Sequence, residues 1–171
     1  MIDFQYHSPG SLEEAFELLD RHGDDARMMA GGTALVLQMK QRLSQPGHVV
    51  GLGRIPGLSE IQWDAGQARI GSMTTHQQIE TNPLVKDRLP LLASAFRQAS
   101  TPRIRSMATL GGGLAHGDPN QDPPPALIAL GAQAVVNSSV GERVVPVEGL
   151  FVDYFETDLH SGEIMTNIII P

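Results

Sequence analysis

Three short apolar runs, Phe4–His7, Arg27–Ala30 and His48–Leu52, are separated by two segments of helical periodicity. The first helical segment opens on Ser11-Leu12-Glu13-Glu14, a capping box in which Ser11 accepts from the amide three residues on and Glu14 reaches back. It places Leu12, Ala15, Phe16, Leu18 and Leu19 on one face and ends near Gly23, and the second runs from Ala34 to Gln41. Strands joined through helices are carried back to the same end of their sheet and run parallel. The opening third of the chain is therefore constrained to a small parallel βαβαβ lobe.

The remainder reads differently. Ser59–Gln62 and Ala68–Gly71 flank an Ala65-Gly66 turn and predict a hairpin. Thr75 is placed to cap a short helix reaching Glu80, and Pro90 to begin another that buries Leu91, Leu92, Ala95 and Phe96. A helix over 124–130, paired strands at 134–137 and 143–147, and a last strand within 162–170 complete the reading. The expected fold is α+β: two α/β subdomains, residues 1–55 and 56–171, the second larger and mostly antiparallel. The final Asn167-Ile168-Ile169-Ile170-Pro171 directly follows a strand-like run and reads as a domain edge.

Charge and cysteine content narrow the chemistry. The net charge is −7 with only 12 Lys and Arg, and the densest basic group, Arg97, Arg103 and Arg105, is too sparse for a nucleic-acid surface. With no cysteine, this chain supplies no disulfide, thiolate nucleophile or iron–sulfur cluster. No signal peptide or membrane span is read, and a cytoplasmic setting is expected.

Two glycine turns carry the functional signal. In Met28-Met29-Ala30-Gly31-Gly32-Thr33-Ala34-Leu35 a strand ends and a helix begins at once, exposing amides suited to a phosphate oxygen. In Thr109-Leu110-Gly111-Gly112-Gly113 the pattern returns with a hydroxyl in front, followed by His116, Asp118 and Asp122. Neither turn is a P-loop or a GxGxxG fingerprint. Each also has a plain reading: a turn needing positive φ, a turn started by Asp118-Pro119, a helix capped by Asp122. A metal held by His116, Asp118 and Asp122 is a third possibility, with no metal site expected. If the two turns converge between lobes, they can grip a pyrophosphate from both sides.

The strand followed by AGGTAL, together with ATLGGGLAHGDPNQDPPPALIALGA, resembles the FAD-binding domain of the molybdenum hydroxylases, which include the medium subunit of aerobic carbon monoxide dehydrogenase and the flavin portion of xanthine dehydrogenase. IGSMTTH (70–76) resembles the family's IGAMTTH, and the segment from Thr157 to Ile164 its late T-x-L-x-x-x-E-I. The resemblance implies an FAD-binding type 2 (PCMH-like) fold with FAD between the subdomains. It implies pyrophosphate binding by Met28 to Leu35 and Thr109 to Gly113, a cofactor contact from Asp122, and Leu159 near the isoalloxazine ring. It further implies a flavin-dependent oxidoreductase subunit, partnered by an iron–sulfur small subunit and a molybdenum-cofactor large subunit, and a smaller C-terminal domain beyond this sequence. Gly113 stands where the family's ATIGGNLAHADPAADLP has asparagine, and Ala34 where it has aspartate, serine or glutamate; each implies the loss of one polar contact to the cofactor. A cofactor-free scaffold that bridges its partners is the rival reading.

Overall fold

The computed structural model describes residues 3–171. β1 (Gln5–His7), α1 (Leu12–His22), β2 (Ala26–Met29), α2 (Leu35–Lys40) and β3 (His48–Gly51) form the predicted first lobe, with sheet order β1-β3-β2, all parallel. Ser11 Oγ accepts from Glu14 N at 3.2 Å, and Glu14 Oε2 accepts from Gly10 N at 2.7 Å, so the glutamate reaches one residue further back than in a closed capping box. Ala15, Phe16, Leu18 and Leu19 pack with Val50 and Leu52 into a small core.

The hairpin β4 (Ile61–Asp64) and β5 (Gln67–Gly71) starts two residues later than the spacing predicts, and turns through Ala65 and Gly66 with positive φ, 48° and 86°. That is the twist a two-residue hairpin turn requires, and it fixes the register as Asp64 opposite Gln67. Then follow α3 (His76–Thr81), α4 (Pro83–Arg88), α5 (Pro90–Gln98), α6 (Pro102–Arg105), α7 (Leu110–His116) and α8 (Pro123–Ala129). Three prolines open α8, where missing N–H groups leave no intrahelical bond unmade. β6 (Gln133–Ser138), β7 (Gly141–Pro146), the small pair β8 (Phe151–Asp153) and β9 (Glu156–Thr157), and β10 (Ile164–Ile170) close the chain. The main sheet is antiparallel with order β4-β5-β10-β6-β7.

β10 ties the two cores together. Its Met165, Ile168 and Ile170 lie in the larger core with Ile70, Phe96 and Leu127, while Ile164 packs with Phe16 and Leu52 in the smaller one. The strand thus places the end of β2 beside the start of α7. Among the described residues, no helix is long and apolar enough to cross a membrane.

Candidate functional site

β2 stops at Met29 and the chain turns through 30–34 into α2. The first backbone bond of that helix belongs to Val36 N, donated to Gly32 O at 3.0 Å. Among the described residues, none of the amides from Gly31 to Leu35 donates to a protein acceptor. Five consecutive N–H groups are thus left without a protein acceptor, as the backbone of a strand-to-helix turn leaves them. Gly31 is held by its surroundings: a Cβ there would run into the carbonyl oxygen of Met107. This loop therefore sits directly on the residues that lead into α7.

The second glycine run behaves otherwise, and corrects the sequence reading of its exposed amides. It is not an open loop but the first turn of α7, with Thr109 as N-cap. Leu110 N donates to Thr74 O (2.9 Å), Gly111 N to Ser72 O (2.8 Å), Gly112 N to Thr109 Oγ1 (3.2 Å) and Gly113 N to Thr109 O (2.9 Å). All four amides are taken inside the protein. The glycines serve close approach instead: a Cβ on Gly111 would come within 2.5 Å of Ser72 Cβ, and one on Gly112 within 3.1 Å of Ala30 Cβ. The two glycine segments converge, but only the first leaves its amides without a protein acceptor.

Between them lies a cleft of about 580 Å³, within the range of small-molecule and cofactor sites. Met28, Met29, Ala30, Gly31, Gly32, Thr33, Ala34 and Leu35 line it from one side, with Thr109, Gly111, Gly112, Gly113, Asp122 and Leu159 from the other. Leu110 does not line it; only 2% exposed, its side chain belongs to the larger core. Arg27 is the one permanently cationic residue on the lining, and its Nη1 donates to the carbonyls of Asp24 and Ala26.

Asp122 holds the N-cap position of α8, but its backbone is helical (φ −76°, ψ −35°) and its carboxylate accepts no capping bond, the residues that follow being prolines. It is free to receive a ligand's hydroxyl. Asp118, by contrast, accepts from its own turn, from Asn120 N (2.9 Å) and Nδ2 (3.2 Å), while the His116 ring lies against Phe155 with centroids 5.2 Å apart. His116, Asp118 and Asp122 are not gathered into a metal-binding set.

Three features lie outside the site residues named from the sequence. Gln121 stands where the Gly113 side chain would be: a Cβ on Gly113 would meet Gln121 Oε1 at 2.8 Å, and Gln121 Nε2 donates to Gly113 O at 2.9 Å. A carboxamide therefore occupies this corner of the cleft although residue 113 brings none. Spatial adjacency across the α7–α8 turn, which sequence spacing does not reveal, is what supplies it. His76, the first residue of α3, is a second. Only 8% exposed, it lines the cleft with its ring edge-on to Phe96 and its Nδ1 unbonded. Burial foremost, with a push from Arg105, holds its pKa below the ordinary imidazole value, so the ring is neutral at pH 7. Ser72, also on the lining, carries a buried hydroxyl oxygen that is likewise unpaired.

The third is Arg143 on β7. Its Nε and Nη2 reach Glu163 Oε1 and Oε2, both at 2.7 Å; Nη1 reaches Asp158 Oδ2 at 2.7 Å, and Nη2 also bonds the Asp158 carbonyl. This fork pins the segment that carries Leu159 and Glu163 to the cleft wall. Hydrogen bonds from Arg143 above all hold Glu163 below the usual carboxylate range.

The residues present fit an FAD pyrophosphate on one wall, by free amides and a backbone no Cβ could share, and a flat aromatic group against apolar side chains elsewhere.

Residues 2–171 match the family described as the FAD binding domain in molybdopterin dehydrogenase. The carbon monoxide dehydrogenase medium chain of Hydrogenophaga pseudoflava is 40% identical over 168 residues, covering 98% of this chain and 58% of that protein. The nicotine 6-hydroxylase medium subunit of Paenarthrobacter nicotinovorans is 40% identical over 167 residues, covering 98% and 59%. Among solved structures, carbon monoxide dehydrogenase from Hydrogenophaga pseudoflava superposes with a TM-score of 0.97 at 40% identity, over 100% of this chain and 60% of that one. Quinoline 2-oxidoreductase from Pseudomonas putida 86 does so with a TM-score of 0.96 at 34% identity, over 99% and 59%. The chain spans about three fifths of the length of these relatives.

Proposed function

The chain belongs to the family of FAD-binding domains of molybdopterin dehydrogenases, and from that premise we propose that it is the flavin-holding part of the medium subunit of a molybdenum hydroxylase-type oxidoreductase. Its partners are then an iron–sulfur small subunit and a molybdenum-cofactor large subunit, with electrons passing from the clusters to the flavin and on to a terminal acceptor. The observation that carries this reading is the run of amides from Gly31 to Leu35, free of protein acceptors, in residues that line a cleft shared with Gly111 to Gly113.

On this reading residues 1–55 and 56–171 are the two subdomains that flank the cofactor. The amides of 31–35 and the Thr33 hydroxyl bind the diphosphate; the Thr109 hydroxyl adds a donor; Asp122 accepts from ribityl or ribose hydroxyls; Leu159 covers the ring system. When bound, FAD supplies the one- and two-electron chemistry, and the protein contributes position and electrostatics. Neutral His76 and the Gln121 carboxamide add polar contacts without adding charge.

Titration of the purified protein with FAD, followed by flavin absorbance and fluorescence, is expected to saturate at one equivalent. Failure to saturate would favour the cofactor-free scaffold. Gln121→Ala is expected to weaken FAD by about 0.5–1.5 kcal/mol, the value of one hydrogen bond, or roughly two- to tenfold in Kd. An unchanged Kd would show that the carboxamide does not substitute for a side chain at position 113.

A further inference from the structure

Three of the chain's six histidines meet on the first lobe, away from the cleft. His7 ends β1, His22 ends α1 and His48 begins β3, so one helix and two strands each contribute a ring. One nitrogen from each lies within 4.8 Å of the others. His7 Nε2 and His48 Nδ1 are 3.0 Å apart, and the rings of His22 and His48 stack with centroids at 3.6 Å and planes at 19°. All three side chains are half-buried.

We propose that His7, His22 and His48 form a divalent transition-metal site, of the imidazole-preferring class that includes zinc, nickel and cobalt. Three nitrogens around a tetrahedral ion at bond lengths of about 2.0–2.1 Å lie roughly 3.3 Å from one another, so separations of up to 4.8 Å need to contract by about 1.5 Å at most. Its donors are imidazole nitrogens with no carboxylate among them, which suits these ions rather than calcium or magnesium. Rings stacked face to face send their lone pairs along nearly parallel planes. Chelation therefore requires His22 to turn about its Cβ–Cγ bond, which a half-buried position at a helix end permits.

The surroundings support a ligand role. Asp25 Oδ2 stands 4.0 Å from His48 Nε2, and Oδ1 of the same carboxylate is anchored by Gly47 N at 2.8 Å. A carboxylate behind a ligating imidazole orients the ring and raises its basicity. An ion here would clamp the C-terminal end of α1 to β1 and β3, a bracing role remote from the flavin cleft and independent of the FAD reading.

The test uses the protein purified without a histidine tag, stripped with chelator and titrated with Zn²⁺ and Co²⁺ alone. Saturation at one equivalent with micromolar or tighter Kd, with tetrahedral cobalt absorption bands, is expected. His22→Gln and His48→Gln are each expected to weaken Zn²⁺ binding at least tenfold and remove the cobalt bands, with FAD binding and the circular dichroism spectrum unchanged. His116→Gln, outside the cluster, serves as the control and is expected to bind as the parent does. Sub-stoichiometric or non-saturating uptake, or equal affinity in the His22→Gln and parent proteins, would overturn the site. If His48→Gln misfolds, His22→Gln decides alone, because its ring ends a helix and lies outside both sheets.

Discussion

Gly31→Ala is expected to lower FAD affinity at least a hundredfold. The added methyl group has nowhere to go: it would overlap the Met107 carbonyl oxygen, a main-chain atom that cannot swing aside like a side-chain tip. The loop must lift away from the start of α7, and its amides lose their aim. Hydrogen bonds to a charged acceptor are worth about 1.5–3 kcal/mol each, so misplacing two of the free N–H groups reaches the hundredfold mark. Overpacking adds about 1–3 kcal/mol of lost stability, or roughly 2–4 °C of Tm per kcal/mol for a chain of this size. Gly53→Ala is the matched control. Nothing lies within 4 Å of a Cβ there, and both FAD affinity and Tm are expected to stay at parental values. The comparison separates a general intolerance of alanine from a local one. A Gly31→Ala protein that is folded and binds FAD within threefold of the parent would remove the diphosphate from this loop.

How far the sequence reaches follows the range of the interactions involved. The first lobe is readable because local signals fix it: the Ser11 cap, the apolar spacing of Ala15, Phe16 and Leu19, and the glycine turn after β2 act over a few residues. The free amides at 31–35 are readable for the same reason, since a turn between a strand and a helix leaves donors unpaired whatever surrounds it. The identical argument fails at Gly111 to Gly113. There Thr109 caps a helix, and the carbonyls of Ser72 and Thr74, distant in sequence, take the first amides. Glycine's poor helix propensity suggests a loop, but the close approach of Ser72 makes small residues necessary and the helix forms around them. Gln121 and Arg143 are invisible for a related reason: each acts on a residue it meets only through tertiary packing.

Arg143→Met tests whether the cleft wall depends on that packing. Arg143 satisfies both oxygens of Glu163 and one of Asp158. Removing it leaves the Glu163 carboxylate, with its side chain 10% exposed, bonded only by His160 N at 2.8 Å. Stripping the partner from a fully buried charge costs about 3–5 kcal/mol. Arg143 itself is 33% exposed, and solvent screens part of the interaction, which brings the expected loss to about 2 kcal/mol at pH 7. Lysine is expected to recover less than half, because one ammonium cannot reproduce a fork reaching two carboxylates. The pH dependence gives the loss a signature. Glu163 has its pKa lowered in the folded protein, chiefly by Arg143. Its contribution is therefore fully present above the ordinary glutamate value and fades as pH falls through the lowered folded-state value. Arg143, its own pKa raised by the two carboxylates, stays charged throughout. Urea unfolding of parent and Arg143→Met is thus expected to differ most at pH 6–7 and to converge as pH drops below about 4. Because the same fork holds Leu159 at the cleft, the variant is also expected to bind FAD several-fold more weakly at neutral pH. A stability difference that stays constant from pH 7 to pH 3 would assign the loss to packing of the arginine stem and leave Glu163 without a part in holding the wall.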